Sequence, residues 1–278
     1  LLKDDEIDAV VIATRHDTHA RFAADAARAG KHVFVEKPLA LTVEQLEEVV
    51  AARKETGRII MPGYNRRFSP LSVAVRDHFA SRSSPIEVIC RVNAGAINAD
   101  SWYQDAEEGG WRIVSEGCHF VDLIQYICGC PAVEVYADMV GGTVSGGQND
   151  NCMVTLKMED GSLGSVIYVA NGDPRYEKER VEVFGQGRTA VIENWRCARL
   201  FAGDKARKVS PSGSGKGHAA EIAAFVEAVG NGVEPSLTFE DAVACTLATF
   251  ATASSLVSRK LEPCRRVIGM DRSADRGS

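Results

Sequence analysis

Glu36-Lys37-Pro38 follows the apolar run Val33-Phe34-Val35, so a buried strand delivers an ionisable amine to its own exit. In open parallel sheets, ligands bind outside the carboxyl ends of the strands, which places Lys37 where chemistry is usually done. The alternative is a surface lysine that pairs with Glu36 in a tight turn. A second constellation lies at Ser115, Glu116, His119 and Asp122. On a helix over 115–128, those spacings put all four on one side, beside a buried stripe of Phe120, Leu123, Ile124 and Ile127. A histidine bracketed by carboxylates has a raised tendency to hold a proton and a fixed tautomer, as a general base requires. It could equally be a structural histidine, with Glu116 suiting the helix N-terminus. A His-Glu-Asp metal site is the third reading, but one helix turn rarely surrounds an ion without distant ligands, so no metal is expected.

The elements that must position these groups are legible as periodicity. Val10 to Thr14 reads as a buried strand, 17–29 as a helix that Gly30 stops, and His32 to Val35 as the next strand, which makes a β-α-β unit. Thr42-Val43-Glu44-Gln45 starts a helix that runs to Thr56, where Gly57 ends it. Ile59 to Met61 is another buried strand, followed by a helix from Pro70 to Ala80. Ser81 to Pro85 marks a boundary. Beyond it, strand-like runs at 86–96, 132–140, 151–159, 162–170, 178–184 and 188–193 imply an antiparallel or mixed sheet. Helices are expected at 115–128, 217–230 and 239–258. The fold class is therefore α/β plus α+β: a partial Rossmann parallel sheet over 1–83, then a large, mostly antiparallel sheet with flanking helices over 84–270, and a disordered tail over 271–278.

Composition narrows the function classes. The chain has 278 residues and a net charge of −6, which offers no electrostatic footprint for nucleic acid. No apolar stretch reads as a membrane span and no signal peptide opens the chain, so a cytoplasmic location is the default. Eight cysteines are scattered, and Cys128-Gly-Cys130 lacks a second pair at zinc-site spacing, so reduced thiols are expected. No G-x-G-x-x-G loop precedes the first strand, and no earlier strand is there to pair with it. Gly141 to Gly147 has no helix behind it and reads as a hairpin loop. On this reading the amino-terminal half of a nucleotide-binding domain is absent, and these residues alone bind dinucleotide poorly and are inactive.

Taken together, these residues resemble the Gfo/Idh/MocA family of dinucleotide-dependent oxidoreductases. The likeness runs through Thr14 to Ala20, Ala29 to Ala40, Gly63 to Phe68 and Gly109 to Asp122. It continues at Gly217-His218, Glu221, Phe225 and Pro235, ending at Asp241-Ala242. T-R-H-D-x-H, N-R-R-F-S-P and S-E-G-C-H look like a subgroup whose members can be the carboxyl-terminal half of larger two-part dehydrogenases. The resemblance implies a Rossmann domain joined to a large-sheet domain that carries substrate determinants on one face and an oligomer contact on the other. It implies NAD or NADP as cofactor, with Thr14, Arg15, His16 and His19 beside the dinucleotide and Glu36, Lys37 and Pro38 at the nicotinamide. Lys37 would polarise the substrate oxygen, and His119 would exchange a proton with the hydroxyl. The family usually has Asp at the position of Ser115, so either Glu116 takes over its supporting charge or the mechanism relies on Lys37 alone.

Asn65, Arg66, Trp102, Tyr103, Arg112 and Asp122 are the polar candidates for a sugar pocket. Trp102 and Tyr103 could stack on a pyranose, or be core or interface aromatics. Arg66 or Arg112 could pair with a carboxylate or phosphate. The implied activity is hydride transfer between nicotinamide and a carbinol carbon of a sugar, polyol or nucleotide-sugar. The alternative is a catalytically silent member that acts as a ligand-binding regulator or partner module.

Overall fold

The computed structural model describes residues 1–98, 100–105, 107–141, 150–211, 213 and 215–265. Its first unit is a three-stranded parallel sheet, ordered β1 (Ala9–Ile12), β2 (His32–Val35), β3 (Ile60–Pro62). Crossovers are α1 (His16–Arg28) and α2 (Val43–Thr56). In register, Val33 lies between Val10 and Ile60, and Val35 between Ile12 and Pro62. Because alternate side chains face opposite ways, Ile12, Val33, Val35 and Ile60 turn toward the helices. Ala20, Ala23, Ala24 and Ala27 of α1 are small enough to let the helix approach closely, and Leu46, Val49 and Val50 of α2 complete that core. Thr42 accepts from the Gln45 N–H at the start of α2, and Gln45 accepts from the Leu41 N–H in return. Gly57, in the left-handed region, ends it.

Phe34 and Met61 point to the opposite side and join the larger core. That core lies under a nine-stranded sheet. Its strands are β4 (Glu87–Asn93), β5 (Ala132–Met139), β6 (Cys152–Met158), β7 (Leu163–Val169) and β8 (Glu179–Gly185). They continue as β9 (Arg188–Glu193), β10 (Cys197–Ala202), β11 (Lys205–Val209) and β12 (Glu262–Pro263). The order is β11-β10-β9-β8-β4-β7-β6-β5-β12, and among the described residues of this sheet only β4 and β7 run parallel. Helices α3 (Pro70–His78), α4 (Cys118–Cys128), α5 (His218–Asn231) and α6 (Phe239–Ser258) complete the chain. Gly164 on β7 lets α4 settle onto the sheet, since a Cβ there would stand 2.5 Å from Ile124. β6 alternates strictly between buried and exposed, as expected of a sheet covered on one face.

The mostly antiparallel second sheet was legible in the sequence, but β10 and β11 were not. The helix expected from Ser115 instead opens with a π-helical turn over Ile113–Gly117, and α4 begins at Cys118. Contrary to the expectation of no membrane-length stretch, α6 is long and apolar enough to cross a membrane by length and composition, although most of it is buried in the protein. It packs on both units: Phe239, Val243 and Leu247 enter the first core, while Ala242, Cys245 and Ala248 enter the second. The eight cysteines are free thiols. The glycine-rich stretch from Gly142 to Gly147 and the tail over 271–278 lie outside the described residues.

Candidate active site

Backbone pairing fixes the exit of β2 on both sides. The Glu36 N–H donates to the Ile12 carbonyl and the Gly63 N–H to the Val35 carbonyl, each at 2.8 Å. The Lys37-Pro38 peptide is cis. From this turn, Lys37 Nζ reaches across to the second unit and donates to the Ser115 carbonyl at 2.9 Å. That carbonyl belongs to the π-helical turn, a distortion that is frequent at functional sites. The wider turn offsets the residues before Gly117 from those after Cys118. The four-residue face expected of a regular helix is therefore split.

Glu116 and His119 line a cavity of about 70 Å³ together with Lys37, Arg66, Val92, Phe120 and Lys178. The early amine and the later imidazole thus share one cleft. Burial opposes charge on Glu116, but the Tyr168 hydroxyl and the Arg112 guanidinium outweigh it and hold the carboxyl below its usual range. Burial opposes charge on Glu179 too. Arg66, bonded through Nε and Nη2 at 2.8 and 2.9 Å, outweighs it and brings that carboxyl down to about 2.

His119 departs from expectation. Burial, then Arg66, Lys37, His218 and Lys216, push its imidazole well below 6.5. The carboxylates meant to support it are engaged elsewhere, Glu116 with Arg112 and Asp122 with Arg67. His119 is therefore neutral near pH 7, and its buried Nδ1 has no partner among the described residues. It is ready to accept a proton rather than inclined to hold one. The Ser115 hydroxyl is likewise buried without a partner.

The other nominated residues divide. His19 ties the turns after β1 and β2, with ring nitrogens 2.9 Å from the Pro38 carbonyl and 3.1 Å from that of Thr14. The Thr14 hydroxyl contacts that of Thr18, and Arg15 pairs with Glu108. His16 bonds the Gly109 carbonyl, and burial lowers its imidazole to about 4. Trp102 and Tyr103 stack edge-on against His16, at 4.8 and 5.0 Å between ring centres, and do not line the Lys37 cavity. Asn65 donates to the Lys216 carbonyl. Arg112 is spent on Glu116, the Gly95 carbonyl and Asp150. Asp122, fully buried, is turned away from the cavity toward Arg67. Sequence reasoning missed Lys178, Glu179 and Tyr168, since a strand-edge E-K-E-R run resembles any solvated stretch.

Residues 1–64 match the model of the oxidoreductase family with an NAD-binding Rossmann fold, and residues 84–191 match the GFO/IDH/MocA C-terminal domain. The chain belongs to the Gfo/Idh/MocA family. The match from residue 1 lends no support to the expectation that the first part of the Rossmann domain is missing. Among relatives, the myo-inositol 2-dehydrogenase of Thermotoga maritima is 25% identical, over 97% of this chain and 83% of that one. The scyllo-inositol 2-dehydrogenase (NAD(+)) of Bacillus subtilis is 28% identical, over 87% of this chain and 73% of its own. The structure of a levoglucosan dehydrogenase in complex with NADH and levoglucosan superposes with a TM-score of 0.83. It is 23% identical and covers 95% of this chain and 82% of its own.

One family position is unusual electrostatically. Glu221, on the first turn of α5, is only 3% exposed, and its Oε1 has no partner among the described residues. Burial, then the nearby Glu36 and Asp122, raises its carboxyl to about 9. The folded value exceeds the unfolded value of 4.5, so the stability this group supports is complete below 4.5 and declines as pH rises toward 9. Glu221→Gln, which stays neutral, is expected to stabilise the fold by about 3 kcal/mol at pH 7 and by almost nothing near pH 4. Urea unfolding at the two pH values measures the difference.

Proposed function

We propose that this protein is an NAD(P)-dependent dehydrogenase that acts on a carbinol carbon of a cyclic polyol or sugar. The observation that carries this reading is that Lys37 and His119 line one cavity at the carboxyl end of a parallel sheet. The residues present suit the nicotinamide end of a dinucleotide. An amine projects from the β2 turn, and an unpartnered imidazole nitrogen is buried beside it. Glu36, Lys37 and Pro38 would flank the ring, with Thr14, Arg15, His16 and His19 along the adjoining edge. When bound, the nicotinamide supplies hydride acceptance or donation.

The chain's own residues handle the oxygen and the proton. Lys37 Nζ, positioned by the Ser115 carbonyl, donates to the substrate oxygen and stabilises the negative charge that develops there. Neutral His119 takes the hydroxyl proton, and its low basicity favours returning that proton in the reverse direction. Glu116, anchored by Arg112 and Tyr168, places a fixed negative charge beside the Lys37 ammonium.

The test is dinucleotide reduction with a panel of inositols, aldoses and anhydrosugars, using NAD and NADP in turn. Turnover of at least one cyclic polyol is expected. Ligand binding without turnover of any of them would select the silent, ligand-binding alternative, which the serine at position 115 favours. The open face of the large sheet exposes Tyr136, Met153 and Leu163. We assign that face to self-association, with substrates bound on the other side.

A further inference from the structure

The cleft carries more positive charge than hydride transfer requires. Of the ionic groups around the cavity, Arg66 is neutralised in a bidentate pair with Glu179 and also lies over the Phe120 ring. Glu116 is satisfied by Arg112 and Tyr168. His119 is uncharged. Lys37 and Lys178 remain, and among the described residues neither has a carboxylate oxygen within the 4.0 Å of an ion pair. Lys37 is held toward the reacting oxygen by the Ser115 carbonyl. Lys178 has no such duty.

Its position is nonetheless fixed. Lys178 immediately precedes β8, and its carbonyl accepts from the Asn93 N–H at 2.7 Å, which pins its backbone against β4. From there the side chain reaches the cavity wall at its solvent-exposed mouth. Two ammonium groups without a carboxylate in ion-pair range, sharing one cleft with Glu116 that Arg112 already neutralises, focus a positive potential where the substrate enters, on a chain of net charge −6. A neutral polyol leaves that potential unused.

We propose that Lys178 is a specificity-determining residue that pairs with an anionic substituent, a carboxylate or a phosphate, on a polyhydroxylated substrate. The inference rests on the polyol reading of the cleft and narrows it to acidic sugars or cyclitols. Lysine suits the task because its ammonium is a compact charge on a flexible stem and can follow a substituent at the cavity mouth. The two arginines nominated from sequence cannot do this without abandoning their internal carboxylates.

Calorimetric titration of the folded protein with myo-inositol, gluconate and glucose 6-phosphate, each with dinucleotide present, tests this directly. At least one anion is expected to bind more tightly than the neutral polyol, and which one does so identifies the anionic group. Lys178→Ala should lower the anion-over-neutral affinity ratio by about tenfold, close to one charge-assisted hydrogen bond, and Lys178→Glu should lower it further. A ratio near one in the unaltered protein, or a ratio that Lys178→Ala leaves unchanged, overturns the proposal. Anion-selective binding that depends on Lys178, without dinucleotide turnover of any compound, would uphold the site and reject the dehydrogenase reading.

Discussion

Lys37→Met is expected to lower kcat by about 10²- to 10³-fold, the usual cost of removing one donor aimed at developing negative charge. Methionine keeps most of the length and the apolar stem but cannot donate. The bond it removes runs to a backbone carbonyl and leaves no buried countercharge exposed, so the fold should survive. KM should change less than kcat, because the amine gains most as charge builds on the substrate oxygen. Steady-state kinetics beside a thermal unfolding curve separates these effects. Unaltered turnover in a folded variant would remove Lys37 from the chemistry.

Asp122→Asn should be the most damaging single change to stability, at about 3–5 kcal/mol. Arg67 is 3% exposed and meets Asp122 at 2.5 Å, with two further contacts of 3.0 Å through Nε. Burial opposes the charge on Arg67, and Asp122 outweighs it, so the guanidinium binds its proton more tightly than when free. Without that carboxylate, Asp241, at 3.3 Å and partly exposed, is the one carboxylate left beside this buried charge among the described residues. Removing both charges with apolar residues of similar volume should recover most of the loss, since the pair's cost is desolvation. Urea titration of the single and double variants tests this. An Asp122→Asn variant as stable as the parent would contradict the assigned pair.

The same residues show where sequence reasoning reaches its limit. The early β-α-β unit was readable because Val10 to Ile12 and Val33 to Val35 are apolar runs with Gly30 between them, and Thr42 and Gly57 mark the ends of α2. The meeting of Lys37 with His119 followed from two separate signals of that kind. Strands β10 and β11 went unread because Arg199, Lys205, Arg207 and Lys208 break up their apolar pattern at the sheet edge. The offset of Ser115 and Glu116 from His119 was hidden by the π-helical turn, which no residue period announces. Adjacent Arg66 and Arg67 look alike in sequence, yet one meets Glu179 and the other Asp122, and only the tertiary fold separates them. His119's weak basicity has the same origin, because Lys37, Arg66 and the 216–218 stretch that oppose its charge come from three distant segments.

The most direct measurement is a crystal structure of the protein with dinucleotide and a polyol that it turns over. Lys37 Nζ and a ring nitrogen of His119 should both lie within about 2.6–3.2 Å of a single hydroxyl, whose carbon faces the nicotinamide. A polyol seated so that these two nitrogens touch no common oxygen would contradict the account.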